Sequence, residues 1–151
     1  MKKIKIILLS CICSLSLLNI TKVKASEYDI KTEYLGNGIY LETYIEENEM
    51  FSTNTKTGTK TANYKNAAGD ILFWVKVKGV FTYTGKSSKC TSSSVEAKAL
   101  ASNWKVSNST SSKSNNTAIA TTTGKRYMLG IVVETRNEKV QLSCSANGKL
   151  S

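Results

Sequence analysis

Hydrophobic and polar residues alternate along most of the chain, and no stretch sustains the repeat of about 3.6 residues that marks a helix. Ile39, Leu41, Thr43 and Ile45 interleave with Tyr40, Glu42 and Tyr44. They follow the turn signal Gly36-Asn37-Gly38, so together with the residues around Ile30 to Leu35 they predict a β-hairpin. Glu46 to Thr61 is polar and rich in Thr, Asn and Lys, which predicts a linker. A short strand over Thr61 to Lys65 then ends at the loop Asn66-Ala67-Ala68-Gly69-Asp70.

The longest alternation comes next. Ile71, Phe73, Val75, Val77, Gly79, Phe81 and Tyr83 are expected on one face, and Leu72, Trp74, Lys76, Lys78, Val80, Thr82 and Thr84 on the other. Gly79 suggests a bulge or bend midway. After a turn at Gly85-Lys86, a return strand carries Cys90, a Ser-rich strand holds Val95, Ala97 and Ala99, and Trp104 with Val106 follows. Ser107 to Asn116 is almost wholly Ser, Thr, Asn and Lys, which predicts an exposed loop. That loop carries two Asn-x-Ser/Thr sequons, at Asn108 and Asn115. A weak strand over Ala118 to Thr122 precedes one through Tyr127, Leu129, Ile131 and Val133. Arg136-Asn137-Glu138 is expected to turn into a last strand of Val140, Leu142 and Cys144, and Asn147-Gly148 closes the chain.

Short antiparallel strands separated by regular turn signals predict an all-β fold, an antiparallel β-sandwich. The order Cys90…Trp104…Cys144 offers an immunoglobulin-like arrangement as the alternative, with tryptophan packed on an inter-sheet bridge. Two features depart from that pattern: few residues follow Cys144, and no tyrosine stands two positions before it.

The first residues change the picture of where this fold works. Lys2, Lys3 and Lys5 precede an apolar run from Ile6 to Ile20, and Val23 and Ala25 suit a cleavage site after Ala25. The run is shorter than the roughly 20 residues of a membrane span. Residues 1–25 are therefore expected to be a cleavable signal peptide, the protein to be secreted, and 126 of the 151 residues to remain. Cys11 and Cys13 would leave with the signal. Cys90 and Cys144 would then be paired as one disulfide in an oxidising compartment.

Charge is unevenly placed. The net charge is +10, of which five lysines belong to the signal. Residues 26–49 carry seven acids and one base, whereas 50–151 carry fifteen bases and four acids. The expected organisation is an acidic N-terminal segment with the hairpin over 26–49 and a basic β-sandwich domain over 50–151. The acids Glu42, Glu46, Glu47 and Glu49 could hold a cation or fold back onto the basic body, but a solvated strand end is the simpler expectation.

The chain has no histidine, which removes Ser-His, Cys-His and histidine-metal chemistry. With two mature cysteines it also lacks the ligands of a structural zinc site, so no metal or cofactor is expected. Asp70, Glu96, Glu134 and Glu138 lie in no glycosidase-like pair, and no phosphate-binding or dinucleotide motif occurs. The sequence therefore points away from an enzyme. Trp74 with Lys76 and Lys78 forms the candidate surface-binding patch, an aromatic with neighbouring cations suited to an anionic glycan or lipid. The competing expectation is a second sheet covering that face, since Leu72 and Val80 share it. Nucleic acid is not an expected partner: the lysines are dispersed and there are two arginines.

Several segments resemble a family of small secreted proteins of Gram-positive, clostridia- and bacilli-type bacteria whose function is not established. They are YLGNGIYLETYIEE, ANYKNAAG, FTYTGKSSKCTSSSV, NWKVSNSTSSKSNNTA, GIVVET and VQLSCSANGKLS. The run Asp70-Ile71-Leu72-Phe73 is more apolar than that family's pattern. The resemblance implies secretion and a shared fold, and carries no catalytic residue across. The functional expectation is a secreted, non-catalytic protein that binds an anionic extracellular surface, a cell-wall polymer or a membrane. The alternative is an antimicrobial, membrane-active protein whose acidic segment masks the basic body.

Overall fold

The computed structural model describes residues 29–48 and 54–151; the expected signal peptide and Glu49 lie outside them. The chain is all-β. Eight strands run in order: β1 Lys31–Gly36, β2 Ile39–Asn48, β3 Thr55–Lys65, β4 Ile71–Tyr83, β5 Ser88–Ala99, β6 Trp104–Ser114, β7 Thr117–Met128 and β8 Ile131–Ser143. The first five form one antiparallel sheet in sequence order and the last three a second. The second sheet packs on one face of the first, chiefly β6 and β7 on β5 and β7 on β4, with β8 on β3 and β4. Because each sheet is a simple meander, the immunoglobulin-like alternative falls: that fold distributes strands between its sheets in a different order.

Size complementarity explains the packing. The inner face of β4 carries Phe73, Val75, Val77 and Phe81, all fully buried, while β7 opposes them with Ala118, Ala120, Thr122 and Gly124. Large side chains from one sheet thus fill the space left by small ones on the other. Tyr64, Phe73 and Trp104 form an aromatic stack, with centroids 4.3 Å apart for the first pair and 5.0 Å for the second. Tyr64 then donates a hydrogen bond to Glu138 Oε2 at 2.7 Å, tying β3 to β8 across the sheets. Burial, followed by the negative charge of Glu138, pushes the Tyr64 hydroxyl far above the ordinary tyrosine range.

Several expected elements are corrected. Thr55 to Thr61, expected as linker, belongs to β3, and the expected loop Ser107–Asn116 is mostly β6. Both runs lack apolar alternation, β6 because it is an edge strand with almost every side chain exposed. Backbone pairing with β7 and threonine pairs such as Thr110–Thr121, with Oγ1 atoms 2.7 Å apart, hold it without a core face. The Arg136-Asn137-Glu138 turn is also absent, since β8 runs straight through it. The real turn falls at Leu129-Gly130, inside the expected strand. Gly79 makes no bulge; a Cβ there would meet the Phe81 ring at 2.4 Å, so the glycine is space for that ring.

The expected disulfide is also corrected. Cys90 and Cys144 are both buried, and both are free thiols. Cys90 Sγ donates to Ser92 O at 3.2 Å and Cys144 Sγ to Ser145 O at 3.5 Å, so each thiol turns to its own local carbonyl. A disulfide requires Cβ atoms within about 4.5 Å and converging side chains, conditions that counting cysteines does not test.

Candidate functional site

The outer face of the five-stranded sheet, turned away from the second sheet, collects the candidate residues. The competing expectation of a covering second sheet therefore fails, because the three-stranded sheet occupies the opposite face. Cross-strand register builds the site row by row. Glu42, Asn63, Trp74 and Lys98 lie side by side, as do Tyr44, Thr61, Lys76 and Glu96, and then Glu46, Thr59, Lys78 and Ser94. Residues directly opposite in an antiparallel pair have Cβ atoms about 4.5–5.5 Å apart, so each row is a continuous strip of touching side chains.

A bulge sets the edge of this face. Tyr64 pairs with Phe73 but Lys65 pairs with Ile71, which leaves Leu72 as the extra residue on β4. The one-residue slip sends Ile71 to the outer face, where it lines a groove with Trp74, and turns Leu72 toward the core. The expected placement of Ile71 with Phe73 and of Leu72 with Trp74 is thus reversed.

That groove has a volume of about 230 Å³ and is walled by Tyr44, Ile71, Trp74, Lys76 and Leu100. Thr61 and Asn63 of β3 form its floor. Asn63 Nδ2 donates to Glu42 Oε1 at 3.1 Å, so its amide is held by β2. Thr61 is 3% exposed, and among the described residues its Oγ1 is the buried side-chain oxygen without a hydrogen-bond partner. A second cleft of about 190 Å³ adjoins across Lys76 and is bordered by Thr59, Lys78, Ser94 and Glu96. Together the two make a shallow trough along the sheet.

The electrostatics differ from the expected basic patch. Lys76 lies 5.9 Å from the Trp74 ring centroid and 4.0 Å from Glu46, so it sits between an aromatic face and a carboxylate. Glu46 also accepts a hydrogen bond from Thr59 Oγ1 at 3.1 Å. Glu42 pairs with Lys65, whose hydrogen bond holds its carboxyl below the ordinary glutamate range despite the opposing effect of burial. The acids of β2 thus lie among the lysines of β3 and β4. Lys78 remains exposed on the same face. Trp74, Lys76 and Lys78 are therefore brought together as expected, but in a mixed-charge surface.

The sequence missed Tyr44, Thr61 and Asn63. Alternation placed Tyr44 on a face with Glu42, but the pairing that aligns β2 with β4 through β3 had no sequence signal, because β3 lacks apolar alternation. A separate cavity of about 390 Å³ near the C-terminus mixes Lys31, Lys60 and Lys149 with Asp29 and Glu47. Burial and then Lys31 push the Lys60 amine down. Among the described residues no group of three or more Cys, Asp and Glu side chains is placed to hold a metal ion.

Taken as a class, the chain is an all-β protein of two antiparallel sheets with an open, polar-aromatic outer face. No family model, no curated protein and no solved structure matches it.

Proposed function

We propose that this chain is an exported, non-catalytic β-sandwich protein that binds an anionic cell-wall polymer along the outer face of its five-stranded sheet. The observation that carries this reading is the groove walled by Tyr44, Ile71, Trp74 and Leu100, with Lys76 on its border. A sugar ring presents apolar C–H faces and a rim of hydroxyls. Aromatic walls bordered by the Lys76 amine complement both, as small polar ligands are held elsewhere by apolar walls and a few placed polar groups. Lys78, exposed beside the groove, supplies attraction to phosphate or carboxylate groups on the polymer.

Export by the signal at 1–25, and kinship with the secreted Gram-positive family that the sequence resembles, belong to this proposal. The test is co-sedimentation of the exported protein with purified, insoluble cell walls. Trp74→Ala is expected to lower retention by roughly tenfold, in line with the loss of one buried aromatic contact. Retention is expected to fall further as salt screens exposed charges. Retention that is unchanged in Trp74→Ala and at high salt would refute the proposal.

A further inference from the structure

The hairpin joining β7 and β8 ends in a concentration of exposed aliphatic side chains. Leu129 is 98% exposed, Ile131 68% and Met128 58%, and Val132 and Val133 are also exposed. Single exposed aliphatics are ordinary, but five within six consecutive positions at one projecting tip are not. β6 reaches only as far as Trp104, which pairs with Arg126, so residues beyond Tyr127 extend past its neighbouring strand.

The turn conformation adds an independent observation. Leu129 has φ 50° and Gly130 φ 81°. A two-residue turn with both residues in the left-handed region favours Asn or Gly at its first position, and a leucine there is sterically disfavoured. Leucine thus occupies an almost fully exposed position against both backbone preference and hydration, so neither folding nor solubility accounts for it.

What surrounds the tip selects an occupant. Behind it Lys105 lies 5.1 Å from the Tyr127 ring centroid, an aromatic–cation pair on the hairpin's flank. Arg126 and Arg136 both bind Glu134, at 3.1 and 2.7 Å; the Arg136 side chain is largely buried, whereas Arg126 is part-exposed and Lys125 precedes it on the strand. An apolar tip backed first by an amphipathic aromatic and then by cations follows the depth profile of a bilayer: hydrocarbon, interface, anionic headgroup. The hairpin's own pairs Met128–Ile131 and Tyr127–Val132 engage backbone groups near the tip, so shallow insertion leaves few of them unmet.

We infer that the β7–β8 hairpin tip is a docking site for an anionic lipid bilayer, with Leu129, Ile131 and Met128 entering the interface and Lys105, Lys125 and Arg126 meeting the headgroups. This site is remote in the chain from the Trp74 groove and does not rest on the polymer-binding reading.

The test is co-sedimentation of the exported protein with vesicles of phosphatidylglycerol mixed with phosphatidylcholine, and with phosphatidylcholine alone, neither containing any sugar polymer. The wild type is expected to bind the anionic vesicles and to bind the neutral ones far less. Leu129→Asn removes the apolar tip and places a residue suited to the turn, so the variant is expected to keep or raise its melting temperature. It should nevertheless lose roughly tenfold or more of its vesicle partitioning, the scale of one buried leucine side chain. Equal partitioning of wild type and Leu129→Asn overturns the inference, as does absence of binding to anionic vesicles. Sedimentation velocity supplies the third arm: a dimer abolished by Leu129→Asn, without vesicle binding, would assign the tip to a second copy of this chain and overturn the bilayer.

Discussion

Thr61 places an unpaired polar atom inside the central sheet. A buried hydroxyl without a partner costs about 1–3 kcal/mol, and the surrounding sheet offers no other hydrogen bond to the Thr61 Oγ1. Thr61→Val keeps the shape and removes the polar atom. It is expected to leave stability unchanged or raise it by about 1 kcal/mol in urea unfolding, with retention on cell walls unchanged because the atom does not reach the surface. A loss of stability would mean that the Thr61 hydroxyl makes a hydrogen bond in the folded protein. Glu42 carries the pH dependence of the same face. Its carboxyl is held below its ordinary value by Lys65, so its contribution is fully present above the unfolded glutamate pKa and is lost as pH falls through the folded value. Urea midpoints of the wild type should therefore decline on the acid side, and Glu42→Gln should show a shallower decline. None of this was legible residue by residue. Trp74, Lys76 and Lys78 could be found because they alternate on a strongly patterned strand, whereas Thr61 gains its meaning from neighbours two strands apart.

Strands with an apolar face were legible from the sequence, and those without one were not. β4 was readable because its inner side chains alternate with outer ones over most of its length. The first half of β3 and most of β6 read as linker and loop because their pairing is carried by backbone and by Thr, Ser and Asn side chains. The Leu72 bulge escaped for a different reason: inserting one residue leaves composition untouched while exchanging faces for everything beyond it. β2 bears on the proposed division between an acidic segment and a basic body. It pairs with β3 at nine positions, from Tyr40–Lys65 to Asn48–Thr57, and Glu42 and Glu47 bridge to Lys65 and Lys56. A proteolytic nick between Asn48 and Asn54 is thus expected to leave the β1–β2 hairpin attached under native conditions. Size-exclusion chromatography should show one peak for the nicked protein and two species only in denaturant. Two native peaks would mean that the hairpin is a separable segment.

At the scale of the molecule, the all-β class followed from periodicity alone, because nothing in the chain supports a helical face. Pairing of the cysteines did not follow, since compartment and parity carry no information on where two Cβ atoms point. Charge behaved similarly: a chain split into acidic and basic stretches becomes one sheet on which both signs interleave, since β2 lies beside β3 and near β4. The fold adds an open face with an aromatic groove on one sheet and an aliphatic hairpin tip on the other. The polymer-binding account is tested most directly by incorporating 5-fluorotryptophan, which gives Trp74 and Trp104 separate fluorine resonances. During titration with solubilised cell-wall polymer, the Trp74 resonance is expected to shift and saturate while that of Trp104, buried between the sheets, stays fixed. A Trp74 resonance that does not move while the polymer binds would contradict the account.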